Sequence, residues 1–287
     1  MQNNKVWIGI FLLPTFLLFC FIYLIPLVLL FATSFCEWTI GSDIIFSGLE
    51  NFKQLFFHDD SLKIVLSNTA VWILLQSTIH IAIGVALGLI LSRKRWYTDI
   101  VRTIYIIPNI ISSAAIGILF LCILNPQFGM VNNIIRRFRP DFMHNWFNNP
   151  STSFYTMTST WLFYAAIVTI LVMAELTAIP KDLYEAATID GASRIQIARF
   201  IELPLLKNII GTTTILAATS MLQKLDIIIM TTKGGPGVST MNMPMYIYKT
   251  ALVDNNYGLS NALGVLLILM GLAIVWLINL IYGMNKK

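Results

Sequence analysis

The sequence predicts an all-α polytopic membrane protein, a single transmembrane domain of six helices over residues 1–287. Three observations carry that prediction. Charged residues make up 11% of the chain, against roughly a quarter in soluble proteins. Mean hydropathy is +0.75. The apolar residues gather in stretches long enough to cross a hydrocarbon layer of about 30 Å, which takes roughly 20 helical residues each.

Six such stretches follow one another. The first runs from Ile8 to about Thr33, the second from about Ser67 to Leu91, and the third from about Ile104 to Leu124. The fourth runs from about Thr156 to Ile179, the fifth from Ile209 to about Thr231, and the sixth from about Leu259 to Tyr282. Pro14, Pro26 and Pro108 fall within or at the edge of spans, which membrane helices tolerate as kinks when neighbours satisfy the freed carbonyls. The first stretch exceeds the roughly 7 to 15 residues of a signal-peptide core, so it reads as a retained span.

Lys and Arg set the orientation. With the N-terminus inside, one face collects Lys5, Arg93, Lys94, Arg95, Arg102, Lys181, Arg194, Arg199, Lys207, Lys286 and Lys287. The other carries Lys53, Lys63, the Arg136, Arg137, Arg139 cluster, Lys233 and Lys249, diluted by acids. Both termini are therefore expected to be cytoplasmic, in a multi-pass protein of the cell membrane. The net charge of +5 is largely this bias, so no nucleic-acid partner is implied.

Several chemistries lack their residues. The chain has no GxxxxGK[ST] nucleotide loop, no HExxH and no GxSxG. Cys20, Cys36 and Cys122 have no metal-like spacing, and a disulfide framework is not expected. His58, His80 and His144 are scattered; His80, in the second span, is expected to hydrogen-bond a neighbour. No catalytic constellation and no metal site can be assembled.

The polar interruption between the fourth and fifth spans, residues 180–207, holds the strongest signal. In "PKDLYEAATID", Pro180 opens a helix with Asp182 in its first turn, where the helix dipole favours an acid. Ala186 and Ala187 are good helix formers with little bulk. Gly191 permits a turn that a residue with a Cβ resists. "ASRIQIARF" predicts a second short helix, with Ile195 and Ala198 on one side and Arg194 and Arg199 on another. Pro204 suits the first position of the fifth span. The loop reads as helix, turn, helix on the membrane surface.

Glu185, Ala186, Ala187, Asp190, Gly191, Ala192, Ile201, Leu203 and Pro204 resemble the EAA loop of the membrane (permease) subunits of bacterial ABC importers. "DIIIMTTKGGPGVST" resembles the LTxGGPxxxT stretch of the carbohydrate-importing branch, of maltose and glycerol-phosphate type, departing from it at Leu225, Met230 and Thr231. "GLENFKQLF" resembles that branch's first external loop. The resemblance implies the type I importer permease fold. It also implies that the EAA loop forms coupling helices that enter a cleft of a cytoplasmic ATPase. Carried over, Glu185 meets a basic residue there, Ala186 and Ala187 permit close docking, Gly191 allows the turn, and Asp190, Leu203 and Pro204 complete the coupling motif.

The implied partners are a second, homologous permease subunit, two ATPase subunits that bind ATP and Mg, and an external solute-binding protein; the chain itself needs no cofactor. The longer external loops, with Trp38, Trp146 and Tyr257, suit the binding protein, although Trp38 also suits a membrane interface.

Intramembrane polar residues face a bundle interior by default. Gln76 and His80 lie four apart on one face of the second span, and Trp161 and Tyr164 three apart on the fourth. The family builds its path from the spans flanking the EAA loop, so Trp161, Tyr164, Met221, Gln223 and Lys224 are the solute-path candidates. Aromatic faces and hydrogen-bonding groups suit a sugar. Lys224 could instead pair with Asp226 or snorkel outward, and Trp161 could be interfacial. The expected function is thus a permease subunit for a carbohydrate, an oligosaccharide above all. The alternatives are another solute such as a glycerol phosphodiester or polyol, or a self-sufficient secondary transporter.

Overall fold

A computed structural model describes residues 3–93 and 96–284, with side chains from Trp7 onward. Lys94, Arg95, Lys286, Lys287 and the Lys5 side chain, which entered the orientation argument, lie outside the described residues. Four helices are long and apolar enough to span a membrane: Trp7–Thr33, Asp60–Leu91, Ser153–Ala178 and Tyr257–Tyr282. Two bent pairs, Thr98–Ile110 with Ser113–Ile123 at 102° and Arg194–Leu205 with Lys207–Met221 at 67°, bring the number to six when each counts as one span.

The chain divides into two compact units, Met1–Leu62 with Tyr246–Leu269, and Lys63–Met245 with Met270–Lys287. In the first unit, Trp7–Thr33 is apolar on every side, with Phe11 77% and Phe21 73% exposed, as suits a helix facing lipid. Its turn over Cys20–Leu24 is widened to π-helical geometry. That turn includes Ile22, whose carbonyl would meet the Pro26 ring, so the helix passes the proline without breaking. A short β-hairpin, Cys36–Glu37 paired with Ile45–Phe46, stands in the following loop and adds to the helical pattern that composition predicts. Asn51 secures this loop by donating to the carbonyls of Ser34 and Cys36, each at 2.9 Å. The Trp38 and Tyr257 rings pack at 4.9 Å. Tyr246 donates to Asp59; burial first, and then this carboxylate, hold its phenol above the usual range.

In the second unit the second and fourth spans approach closely. A Cβ on Gly84 would lie 2.5 Å from Val168 Cβ, and one on Gly88 2.6 Å from Val172 Cγ1. Glycines four apart let two helix backbones meet, and Thr169 Oγ1 donates across the contact to the Gly84 carbonyl at 3.2 Å. Ile81, Val85, Ala165, Val172, Leu206 and Ala217 fill the core around it.

Three predicted spans are interrupted. The third continues two residues past Pro108, then turns at Ile111 and Ser112, where the Ser112 hydroxyl caps the next helix by accepting from Ala115 N–H at 3.3 Å. The fourth is broken at residues 163–165. The fifth does not run on to Thr231: it stops at Met221, and a separate helix covers Asp226–Met230. Beyond it the Gly-Gly-Pro-Gly segment forms a turn, with Gly234 at φ +89° and Gly237 at φ +62°. Thr240 Oγ1 donates to the Gly235 carbonyl at 2.8 Å, and Asn68 Nδ2 donates to the carbonyls of Ser239 and Met241.

Candidate functional site: an intramembrane cavity and an exposed helical loop

A cavity of about 300 Å³ lies within the second unit, at the lower end of the usual range for small-molecule sites. Its walls come from the second, third, fourth and fifth spans. Gln76 and His80 belong to a π-helical turn of the second span, which brings these residues, four apart, onto the same wall. His80 Nδ1 lies 2.9 Å from the Leu162 carbonyl. A carbonyl only accepts, so Nδ1 carries the proton.

That contact belongs to the break in the fourth span. A helix interrupted in a membrane leaves polar backbone groups that need partners. His80 takes the Leu162 carbonyl; Tyr105, from the third span, donates to the Phe163 carbonyl and accepts from Ala165 N–H at 3.0 Å. The break places Trp161 and Tyr164 on the cavity wall. Trp161 also meets Trp72 edge-on at 6.1 Å, and Trp72 Nε1 is tied to Thr158 Oγ1 at 2.8 Å.

The break after Met221 sets Lys224. Asn242 Nδ2 donates to the Lys224 carbonyl at 2.7 Å, so the loop after the fifth span holds this residue from behind. Its Nζ lies over the Trp161 ring, 5.3 Å from the centroid, within cation–π range. Lys224 does not pair with Asp226: among the described residues the only ion pair is Lys53 with Glu50. Two buried polar atoms, Gln76 Oε1 of the second span and Trp161 Nε1 of the fourth, have no hydrogen-bond partner among the described residues.

Of the five path candidates, Trp161, Tyr164 and Lys224 line the cavity; Met221 is buried beside it and Gln223 is exposed in the break. The fifth helix ends at Met221, so extrapolating its periodicity misplaces Gln223. Thr160, Thr213 and Ser220 also line the cavity; their hydroxyls turn back onto their own helices, so residue type alone did not distinguish them.

The loop between the fourth and fifth spans is helix, turn, helix. Lys181–Ile189 begins after Pro180 and ends in a Schellman arrangement: Ala192 N–H donates to the Ala187 carbonyl at 2.9 Å, Gly191 N–H to that of Thr188 at 3.1 Å. Such an ending puts one residue in the left-handed region, and Gly191 sits there at φ +75°. Ser193 and Gln196 form a capping box, with Ser193 N–H donating to Gln196 Oε1 at 2.7 Å and Gln196 N–H to Ser193 Oγ at 3.4 Å.

The second helix extends to Leu205, beyond the expected Phe200, so Pro204 lies in its last turn rather than at the start of the fifth span, which begins at Lys207. A π-helical turn over Ala198–Glu202 makes room before the proline. The two helices are pinned by Tyr184 Oη, which donates to the buried Glu202 at 3.4 Å. Burial, and then the Glu202 charge, hold the Tyr184 phenol above its usual range and therefore protonated as a donor.

Glu185, Ala186, Asp190, Gly191, Leu203 and Pro204 are exposed, and Ala187 is buried. Ile189 and Ile195 are 86% and 80% exposed, and Phe200 68%. Trp146 Nε1 donates to the buried Asn132 at 3.0 Å, which ties it into the loop before the fourth span.

Residues 80–284 match the family model described as "Binding-protein-dependent transport system inner membrane component". Among characterised relatives, the chain is similar to the sulfoquinovosyl glycerol transport system permease protein SmoG of Agrobacterium fabrum, 29% identical with 95% of this chain and 89% of that one covered. It is also similar to the trehalose/maltose transport system permease protein MalF of Thermococcus litoralis, 28% identical over 81% of this chain and 79% of that one. A solved chain of a bacterial alginate ABC transporter, crystallised in complex with an alginate pentasaccharide-bound periplasmic protein, superposes with a TM-score of 0.86 at 22% identity, covering 99% of this chain and 96% of that one. At that identity the likeness establishes the fold: the type I permease arrangement.

Proposed function

The chain belongs to the family of inner membrane components of binding-protein-dependent transport systems, and from that premise we propose that it forms half of the translocation pathway for a carbohydrate, an oligosaccharide, in an ATP-driven importer. The observation that carries the reading is the cavity itself. It joins aromatic side chains, Trp161 and Tyr164, to polar ones, Gln76, His80 and Lys224, within a bundle of spans. A sugar ring offers an apolar C–H face for stacking and hydroxyls for hydrogen bonds, and small-molecule sites combine the same two elements. The substrates named for the two sequence relatives support the carbohydrate class.

In this proposal both termini are cytoplasmic, which places the loop 180–207 on the cytoplasmic side. There the exposed Glu185, Ala186 and Asp190, the Gly191 turn, Ala187 beneath it, and Leu203 with Pro204 in the second helix form the surface that couples to an ATPase. Two ATPase subunits bind and hydrolyse ATP with Mg. A second, homologous permease subunit completes the pathway, and an external solute-binding protein delivers the sugar. Trp161, Tyr164 and Lys224 contact the solute, and Met221 supports the wall. Gln223 borders the path, at the break in the fifth span.

The test is ATP-dependent uptake of oligosaccharides by proteoliposomes containing the whole importer and its binding protein. Trp161→Ala is expected to lower uptake about tenfold or more, since stacking and a hydrogen-bond donor are lost together, while the assembled complex remains intact on size exclusion. Uptake equal to wild type would remove the cavity from the pathway.

A further inference from the structure

Lys224 and Trp161 give the cavity a charge preference. The ammonium stands on the cavity wall, none of the lining residues is acidic, and Lys224 makes no ion pair among the described residues. Its one close compensating group among them is the Trp161 face at 5.3 Å, which offsets only part of the cost of taking an ammonium out of water. An ammonium on a cavity wall that carries no acid suits an anionic group, which it meets through a charge-assisted contact.

Resting on the carbohydrate reading above, we propose that the solute is an acidic carbohydrate, a sugar whose carboxylate or sulfonate is received by Lys224. Trp161 and Tyr164, which line the same cavity, present rings to the sugar. A neutral sugar of the same size meets Lys224 through hydroxyls alone, without the charge-assisted contact, and so is disfavoured.

The test uses the complete permease–ATPase complex in nanodiscs without its binding protein, so that selectivity at the membrane is read alone. Probes are radiolabelled hexuronate oligosaccharides of two to five rings and their carboxyl-reduced, neutral counterparts. Wild type is expected to bind an acidic oligosaccharide at least about tenfold more tightly than its neutral counterpart, as a charge-assisted contact implies. Lys224→Met should abolish the preference, and Lys224→Arg should keep it. Equal binding of acidic and neutral forms, or a preference unchanged in Lys224→Met, overturns the inference and leaves the carbohydrate reading standing. If Lys224→Met does not assemble, the wild-type preference and its retention in Lys224→Arg decide. Binding of neither form would overturn this inference and count against the carbohydrate reading as well.

Discussion

At the scale of residues, the breaks in the spans are where side chains replace backbone. Tyr105 is the clearest case: one hydroxyl serves the Phe163 carbonyl and the Ala165 N–H. Interhelical hydrogen bonds in membranes average about 0.6 kcal/mol, so Tyr105→Phe, which keeps the ring, is expected to cost about 1 kcal/mol. Thermal unfolding of the purified protein in detergent measures this as a lower midpoint; an unchanged midpoint would mean that the break is held by packing alone. These contacts were not legible in the sequence, because Tyr105 and residues 163–165 are brought together only by the tertiary fold. Gln76 with His80 was legible, since their spacing alone places the pair on one face; Trp161 and Tyr164 were legible by residue type, but the break between them, not helical spacing, sets Tyr164 on the cavity wall. Lys224 was legible as an intramembrane charge, but its seat over Trp161 depends on Asn242 grasping its carbonyl.

At the scale of elements, hydropathy located the spans but not their interruptions, because an apolar window does not register a turn whose polar groups are satisfied by distant residues. The loop 180–207 was more open to reading. Its turn needs a residue at positive φ, and a glycine stands there; the Ser193 and Gln196 pair spells a capping box, and the Gly84 and Gly88 spacing a close helix contact, both carried by residue spacing alone. The extent of the second helix was misread because Pro204 looks like a starting signal, whereas the widened turn before it lets the helix absorb it. The exposed apolar side chains of Ile189, Ile195 and Phe200, in the same loop as the exposed Glu185, make this loop the surface to perturb. Glu185→Lys reverses a contact worth about 1.5–3 kcal/mol if a basic partner meets it. ATP hydrolysis is then expected to persist while uptake falls to background, with normal amounts of protein in the membrane. Wild-type uptake in this variant would remove Glu185 from coupling.

At the scale of the whole molecule, the chain has a cavity and an exposed helical loop and belongs to a family of binding-protein-dependent transport components. In the importer proposed for it, ATP hydrolysis falls to other chains, and purification is the decisive measurement. The tagged chain would be taken from its native membrane in mild detergent and its companions identified by mass spectrometry. The expected result is an ATPase with a Walker motif and a second six-span subunit in stoichiometric amounts, the ATPase reduced when Glu185, Ile189 and Ile195 are replaced together. A chain that purifies alone and still transports when reconstituted would contradict the assignment.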